Sequence, residues 1–451
     1  MEQNGLDVHV YSQDDPAHPK QVSRRIDDTS LEISFHKDIE TVPTLIKTKN
    51  GIEQERLVGW HRGEWESFTG VSNLGQDLPE FRPGCGALNV EPGKAEELAV
   101  RFGSDLITAR RVELAVMEDD METCFDRGWT DGLPVVPPTE ERVIRMLQGT
   151  DRSPDDIVAE VPPDKVACSV EKVAINAVMA GCKPEYLPVV IAALEAACLD
   201  EFCMHGLLAT TWFSSPVVIV NGPVTRKIGM NSGGNCLGQG NRANATIGRA
   251  LQLIIRNVGG GRPGGVDRST LGNPGKYTFC FAENEEESPW VSLAEERGFS
   301  KEVSTVSLFA GDGVQGIIDQ QSRNPESLTR SFAACLRTVA HPKMAVGPVA
   351  MLVVSPEHAR VFKSAGWSKS KFKEELHAVL QIPGKELVQG ADGIDFGMPE
   401  QFKDAVLPKF LPENLHVVHA GGKAGMFSAI ICGWVASGKM GSQSVTKEIK
   451  L

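Results

Sequence analysis

Short, almost wholly apolar runs separated by stretches of helical periodicity are the feature that most constrains the fold of this chain. The three clearest runs, each typical of a buried strand, cover residues 216–220, 349–354 and 415–418. The stretches with helical character cover residues 170–179, 186–198 and, behind a serine cap, 368–380. Because a strand that is apolar at every position must be buried on both faces, helices are expected to cover the sheet. The alternation therefore predicts an α/β domain, with parallel pairing favoured and the strand order left open.

The length of the chain indicates several domains. At 451 residues the chain exceeds the size at which one hydrophobic core keeps growing. Composition changes and a Gly- and Pro-rich stretch place the boundaries of an N-terminal module, a linker with a connecting helix, and a large α/β domain at 1–75, 76–115 and 116–451. We expect the functional site to lie in the large domain.

Charge and hydropathy exclude several classes of partner. The formal net charge of −13 and the isoelectric point near 5.4 oppose binding to nucleic acid. No apolar run reaches the roughly 18 residues that a membrane span needs, and the N-terminus lacks the basic and apolar regions of a secretory signal. The sequence therefore predicts a cytoplasmic protein that binds neither nucleic acid nor membranes, and homo-oligomerisation stays open.

The cysteine pattern argues against a metal site. The chain has ten cysteines, but no CxxC pair, and HxH and HExxH spacings are also missing from the sequence. Most of these thiols are expected to be small buried core residues. No metal site is predicted, and the sequence identifies no cofactor.

The N-terminal 75 residues resemble the second half of a thioredoxin fold. Strands are predicted over 6–12 and 41–46, a Lys-Asn-Gly turn follows, and a strand over 56–60 precedes a helix over 64–68. The resemblance implies that Pro43, in a Val-Pro-Thr segment, is cis. The half with the CxxC motif would lie upstream of Met1, so this module is either a degenerate scaffold or the product of a start codon placed too late. Cys85 is the thiol nearest to it, and a linker cysteine without chemistry is the alternative.

Four strings in the large domain carry a second resemblance. They are GWTDGLPVVPPTEERV (128–143), INAVMAGCKPEYLPVVIAALEA (175–196), GQGNRANATIGRA (238–250) and PGKYTFCFAENEEESPW (274–290). The region from about 120 to 446 resembles the large domain of the UGSC family of (seleno)proteins. Members of that family join this domain to a redox-type module with a U/C-G-S-C motif, which this sequence lacks. The resemblance implies a link to thiol or selenol chemistry.

A glycine-rich loop is the strongest local signal for ligand binding. Residues 229–240 contain five glycines and lead into a helix for which Asn241 is a good N-cap. Free backbone amides at a helix N-terminus attract anions, and Arg242 adds a fork of donors. We therefore predict that Asn241, Arg242 and Asn244 bind a phosphate or carboxylate. A purely structural glycine turn is the alternative, because neither nucleotide-binding glycine motif is properly met.

A second Gly-rich stretch follows at 259–276. Long ordered loops are often functional, and the cations of this one could complete a basic pocket in an acidic protein. Arg268 and Lys276 are predicted as substrate-binding residues, with Arg262 beside them. Solvated surface cations are the alternative.

Four side chains are candidates for catalysis. Cys236 lies in the glycine loop near a helix N-terminus, which would favour its thiolate. His205 precedes the strand at 216–220 and is the best-placed general base. Glu283 follows an apolar run, and crowding by Glu285 on the same face would raise the pKa of one carboxyl group. Asp131 is either a catalytic carboxylate or a turn former.

These features predict an enzyme that acts on a small anionic metabolite, sulfur-containing compounds among them, by thiol- or redox-linked chemistry. The reaction class stays open between redox chemistry and lyase or hydrolase chemistry. The alternatives are a redox-partner or scaffold protein whose thioredoxin-like part docks a thiol-redox protein, and a small-molecule carrier or sensor.

Overall fold

The computed structural model describes residues 1–91, 93–103, 107–115, 117–434 and 441–451. The backbone divides into two compact units, of which the first comprises Met1–Thr108 with Thr139–Arg145, and the second Ala109–Pro138 with Met146–Leu451. Residues 92 and 104–106 of the predicted linker and connecting helix, residue 116 at the start of the predicted large domain, and residues 435–440 of the UGSC-like region lie outside the described residues.

The N-terminal segment of the first unit, Met1–Thr108, contains short strands and three α-helices within its described residues. In chain order these elements are β1 (Val10–Ser12), β2 (Arg25–Asp27), α1 (Glu32–His36), β3 (Thr41–Val42), β4 (Thr44–Lys49), β5 (Ile52–Val58), β6 (Trp60–His61), α2 (Arg62–Thr69), β7 (Phe81–Arg82), β8 (Cys85–Gly86) and α3 (Lys94–Phe102). The described strands pair two by two, as β1 with β2, β3 with β8, β4 with β5 and β6 with β7.

The hairpin of β4 and β5 turns where the sequence predicts it. Asn50 and Gly51 both have positive φ, at 54° and 77°, which is the conformation that an Asn-Gly hairpin turn needs. The Val42–Pro43 peptide bond is cis, as the thioredoxin resemblance implies. The paired strands do not assemble into one described sheet, so the thioredoxin-like arrangement is not confirmed.

The remainder of the chain alternates helices with strands. Its elements are α4 (Asp120–Asp126), α5 (Glu140–Leu147), β9 (Ile157–Val161), β10 (Val166–Ser169), α6 (Val170–Ala180), α7 (Leu187–Ala197), α8 (Met204–Ala209), β11 (Ser215–Asn221), α9 (Val224–Lys227), α10 (Arg242–Asn257), β12 (Cys280–Ala282), α11 (Leu293–Glu296), β13 (Thr305–Ile318), α12 (Pro325–Leu336), β14 (Val349–Val354), α13 (Pro356–Ser364), α14 (Lys369–Val379), β15 (Gln381–Pro383), α15 (Gly384–Leu387), β16 (Val406–Pro408), β17 (Leu415–His419), β18 (Phe427–Gly433) and β19 (Val445–Glu448).

A mixed seven-stranded sheet forms the centre of the second unit. Its strand order is β12-β11-β13-β18-β14-β17, and β19 pairs with the first part of β13. The expected parallel pairing occurs between β11 and β12 and between β14 and β17, whereas the other pairs are antiparallel. The amide of Asn284 donates to the carbonyl of His419 at 2.8 Å. The ends of the two edge strands therefore meet, and the sheet is curled. The α/β class is thus confirmed for the second unit.

Burial on both faces explains why the central strands are continuously apolar. In β14, Val349, Met351 and Val353 belong to one core with residues of β11 and β13. The alternate residues of β14 pack into a second core with α12, α13 and α14. Since successive side chains of a strand point to opposite faces, two cores require apolar residues at every position.

No helix among the described residues is long and apolar enough to cross a membrane.

Candidate active site

A cavity of about 440 Å³ lies within the second unit. Its wall is built from Asp131, helix α8, the start of β11, the C-terminal half of α10, and the loop that joins α10 to β12. A volume of this size is typical of small-molecule sites. Two of the predicted site residues, Asp131 and Lys276, line it.

Helix α10 presents a polar stripe to this region. Arg249, Gln252 and Arg256 follow one another at intervals of three and four residues, which places them on one helix face. The apolar residues of the same helix, among them Ile247 and Leu251, are buried. The helix is thus fixed by its apolar side, and two residues of the stripe, Gln252 and Arg256, line the cavity.

Arg249 and Asp131 form a bidentate ion pair. The guanidinium donates from Nε to Oδ2 at 2.9 Å and from Nη2 to Oδ1 at 2.8 Å. Burial acts to raise the pKa of Asp131, but the hydrogen bonds and charge of Arg249 outweigh it, so the pKa lies below its usual value. Asp131 also accepts from the amide of Leu133 at 3.2 Å, so it forms its turn as well. A carboxylate held ionised in this way is suited to positioning Arg249 rather than to carrying protons.

Lys276 is paired in the same way. Its Nζ donates to Oδ2 of Asp267 at 2.8 Å, and Ser269 donates to Oδ1 of the same carboxylate at 2.8 Å. Burial would raise the pKa of Asp267, but the hydrogen bond from Lys276 and its charge lower it overall. The charge of this cavity-lining cation is therefore already balanced.

Arg256 differs from both of these cations. It lines the cavity, and no hydrogen bond or ion pair joins it to any other residue in the described part of the chain; its Nε is buried without a partner. Burial, followed by the charge of nearby Arg262, lowers its pKa, while Asp131 acts in the opposite direction. Arginine stays protonated even so. The cavity wall thus contains a guanidinium that makes no direct ion pair with any described residue.

Two serines at the start of β11 also line the cavity. Ser215 is only 2% exposed, and its Oγ is buried without a hydrogen-bond partner among the described residues. Ser214 donates its hydroxyl to Asp312, which also accepts from Nε1 of Trp212 at 3.1 and 3.0 Å. Asp312 lies where β13 changes register against β18, a kind of irregularity common beside active sites.

The Asp312 carboxyl group is buried, and none of the ion pairs found among the described residues involves it. Burial raises its pKa above the usual value, although the hydrogen bonds from Ser214 and Trp212 act to lower it. A carboxyl group with a raised pKa, reached from the cavity through a serine hydroxyl, is a suitable proton reservoir.

The residues predicted to bind anions at the glycine loop lie elsewhere, at the start of α10. Asn241 caps the helix by accepting from the Asn244 amide at 3.0 Å, and Arg242 donates to the carbonyl of Gly181 at 2.9 Å. The Asn244 side chain is buried and bonds to Asn231 and to the carbonyl of Cys236. These contacts favour the alternative of a structural glycine turn. An anion site at this position stays a prediction.

The expectation of a favoured thiolate at Cys236 is wrong. This residue is buried, and burial raises the pKa of its thiol to about 11. The helix N-terminus does not compensate, because the side chain packs into the core inside the curled sheet. Burial likewise raises the pKa values of Cys124 and Cys280.

The two other predicted basic residues are exposed. His205 lies on α8 between the cavity-lining neighbours Met204 and Leu208, but its own side chain is exposed and does not line the cavity. Arg268 is also exposed, although its backbone amide donates to the carbonyl of Leu208 at 2.9 Å. The structure therefore does not bring these two side chains to Asp131 and Lys276.

Glu283 is buried outside the cavity, at the end of β12. Its pKa is raised as expected, but the main cause is burial, and Glu285 contributes least of the named causes. The carboxyl group accepts from Asn221 Nδ2 and the Leu293 amide, both at 2.8 Å. Crowding by Glu285 is therefore not the main cause of the raised pKa of Glu283. The Glu285 carboxylate instead accepts from the Gly222 amide at 2.7 Å.

Sequence reasoning missed four residues that line the cavity, Gln252, Arg256, Ser215 and Asp267. It also missed Arg249 and Asp312, which bond to the lining residues Asp131 and Ser214. The spacing of Arg249, Gln252 and Arg256 on one face of an otherwise apolar helix was a usable signal. Ser215 and Asp312 carry no such pattern, because only the folding of β11 against β13 places them beside the cavity.

No group of three or more His, Cys, Asp or Glu side chains that could hold a metal ion occurs among the described residues.

No protein-family model matches the chain, and the curated protein sequences gave no match. The resemblances to the UGSC family and to thioredoxin therefore remain predictions.

Proposed function

We propose that the cavity beside α10 binds a small anionic metabolite through Arg256, and that the protein is an enzyme acting on it. The observation that carries the proposal is the guanidinium of Arg256, which has no ion-pair partner among the described residues, whereas Lys276 in the same wall and the neighbouring Arg249 of α10 are both paired. A buried guanidinium nitrogen without a hydrogen-bond partner is costly, and a bound anion that accepts from the Arg256 Nε would remove that cost.

The surroundings of Arg256 support selectivity for negative charge. Arg262 adds a second positive charge nearby, strongly enough to lower the pKa of Arg256. The net charge of the whole chain is −13, so this local excess of positive charge is opposite to the overall charge. A cleft of one sign with apolar walls concentrates ligands of the opposite sign.

The catalytic part of the proposal rests on Ser214 and Asp312. A ligand in the cavity would meet the Ser214 hydroxyl, which is bonded to a carboxyl group of raised pKa. Such a pair suits proton transfer to or from a bound substrate. None of the described residues that line the cavity is a cysteine, so the expected thiol chemistry has no support at this site.

Thermal unfolding in the presence of carboxylate and phosphate metabolites tests the binding step. We expect a saturable rise in Tm with at least one anion for the wild type. Charge-assisted hydrogen bonds contribute about 1.5–3 kcal/mol, so Arg256→Gln should weaken binding by about 10- to 150-fold.

The matched control is Arg226→Gln, since Arg226 is exposed and paired with Glu286 outside the cavity. This variant should respond to anions like the wild type. An unchanged response in Arg256→Gln, or an equal loss in both variants, would contradict the proposal.

A redox-partner role is the second candidate, because Cys85 is an exposed thiol. It lies on β8, opposite Val42 of β3. Co-purification under non-reducing conditions should yield a mixed disulfide that Cys85→Ser abolishes and Cys236→Ser retains. A catalytically active protein that forms no such disulfide counts against this role.

A further inference from the structure

We propose that the ligand is a monocarboxylate with an apolar body, held at its head group by Arg256 and Ser215. This inference rests on the proposed function, because it specifies the class of anion that the cavity takes. Three independent features of the wall point to it: the charge left unbalanced, the hydroxyl left unpaired, and the apolar character of the remaining surface.

The charge balance favours a single negative charge. Asp131 compensates Arg249, and Asp267 compensates Lys276, each by direct hydrogen bonds of 2.8 or 2.9 Å. Among the described residues that line the cavity, one cation, Arg256, is left without an anionic partner. A monoanion balances that charge, whereas a doubly charged phosphate would leave one negative charge without a compensating cation in the cavity wall.

Ser215 supplies a second donor. Its Oγ is a buried hydroxyl in the cavity wall with no partner in the described chain, and buried hydroxyl groups are almost always hydrogen-bonded. A carboxylate has two oxygens that accept hydrogen bonds. One guanidinium and one hydroxyl therefore provide donors of the two kinds that a carboxylate head group commonly uses.

The rest of the wall favours an apolar body. Met204, Leu208 and Ile255 are buried and line the cavity. Leu271 and Tyr277 also belong to the wall and remain 81% and 45% exposed. Large apolar side chains left partly exposed beside a cavity gain by covering the apolar part of a ligand.

Isothermal titration calorimetry with acetate, butyrate, hexanoate and octanoate at constant ionic strength tests the inference. Burial of a methylene contributes enough to raise affinity about fourfold, so each added pair of methylenes should strengthen binding by about 15-fold until the cavity is filled. Inorganic phosphate tests the alternative of a doubly charged head group without an apolar body. It should bind more weakly than hexanoate.

The Ser215→Ala variant tests the contact with the ligand's head group separately from the contacts with its apolar body. We expect this variant to bind every alkanoate several-fold more weakly, with the same gain per methylene, because only the headgroup contact is lost. The free variant should unfold at the same Tm as the wild type or above it, since the hydroxyl removed has no partner. Weaker binding would then not reflect a failure to fold.

The outcomes of these experiments distinguish a failure of the monocarboxylate inference from a failure of the proposed anion-binding function. Affinity that does not increase with chain length, or phosphate that binds tighter than octanoate in an Arg256-dependent way, overturns the monocarboxylate and leaves an anion-binding cavity. If anions bind equally to the wild type and to Arg256→Gln, both the monocarboxylate inference and the proposed anion-binding function are overturned. Ser215→Ala binding octanoate like the wild type overturns the assignment of the head group.

Discussion

Neutralising Asp131 should destabilise the protein, because it breaks the ion pair that fixes α10 beside the cavity. Asp131→Asn keeps the shape of the side chain but leaves Arg249 without a compensating charge. The two side chains are 9% and 14% exposed, so the pair is close to buried rather than solvated. Removal of one partner from a buried pair costs about 3–5 kcal/mol.

Two features reduce that cost. The asparagine oxygen can still accept one hydrogen bond from Arg249, and the guanidinium keeps its contacts to the carbonyls of Leu133 at 3.2 Å and Pro134 at 2.9 Å. A hydrogen bond to a charged group contributes about 1.5–3 kcal/mol. We therefore expect Asp131→Asn to lower the free energy of unfolding by about 2–3 kcal/mol.

Urea-induced unfolding, followed by circular dichroism and tryptophan fluorescence, measures this loss. Glu286→Gln, which breaks the exposed pair with Arg226, is the matched control and should change stability little. In a double-mutant cycle, Asp131→Asn and Arg249→Gln should be coupled by more than about 1 kcal/mol. A loss no greater than that of the control, or fully additive effects, would refute the role given to this pair.

Three further results are expected. Since the pKa values of Asp131 and Asp267 are lowered in the folded state, both contribute stability above pH 4 that is lost as pH falls below about 3.8; urea titrations should show a shallower acid loss in Asp131→Asn. The pKa of Asp312 is raised on folding, so its ionisation opposes folding as pH rises; the stability of Asp312→Asn relative to wild type should increase from pH 4 to pH 8, and a flat difference would contradict the assigned shift. Iodoacetamide at pH 8 should label exposed Cys85 in the native protein but not buried Cys236, and rapid native labelling of Cys236, seen by mass spectrometry, would be inconsistent with its burial.

In the second unit, the strands that the sequence predicted most clearly are those buried on both faces. Continuous apolar runs predicted β11, β14 and β17, because two cores leave no position for a polar residue. Strand β13 was missed. Its second half is largely exposed and contains Gly313 and Gly316, so neither alternation nor a continuous apolar run marks it.

The site was predictable only in part. Asp131 and Lys276 stood out because each lies in a polar, glycine-containing segment, and both line the cavity. Arg242 stood out for the same reason, yet its guanidinium donates to the carbonyl of Gly181 within the fold. Sequence alone does not reveal whether an arginine donates its hydrogen bonds to other residues of the fold. This difference separates Arg242, which donates to Gly181, from Arg256, whose Nε has no partner among the described residues.

A crystal structure of the protein with 4-bromobenzoate tests the central claim most directly. The claim predicts an anomalous bromine peak inside the cavity, with the carboxylate of the ligand within hydrogen-bond distance of the Arg256 guanidinium. A cavity left empty at saturating ligand, or an Arg256 side chain paired with a carboxylate of the protein itself, would contradict it.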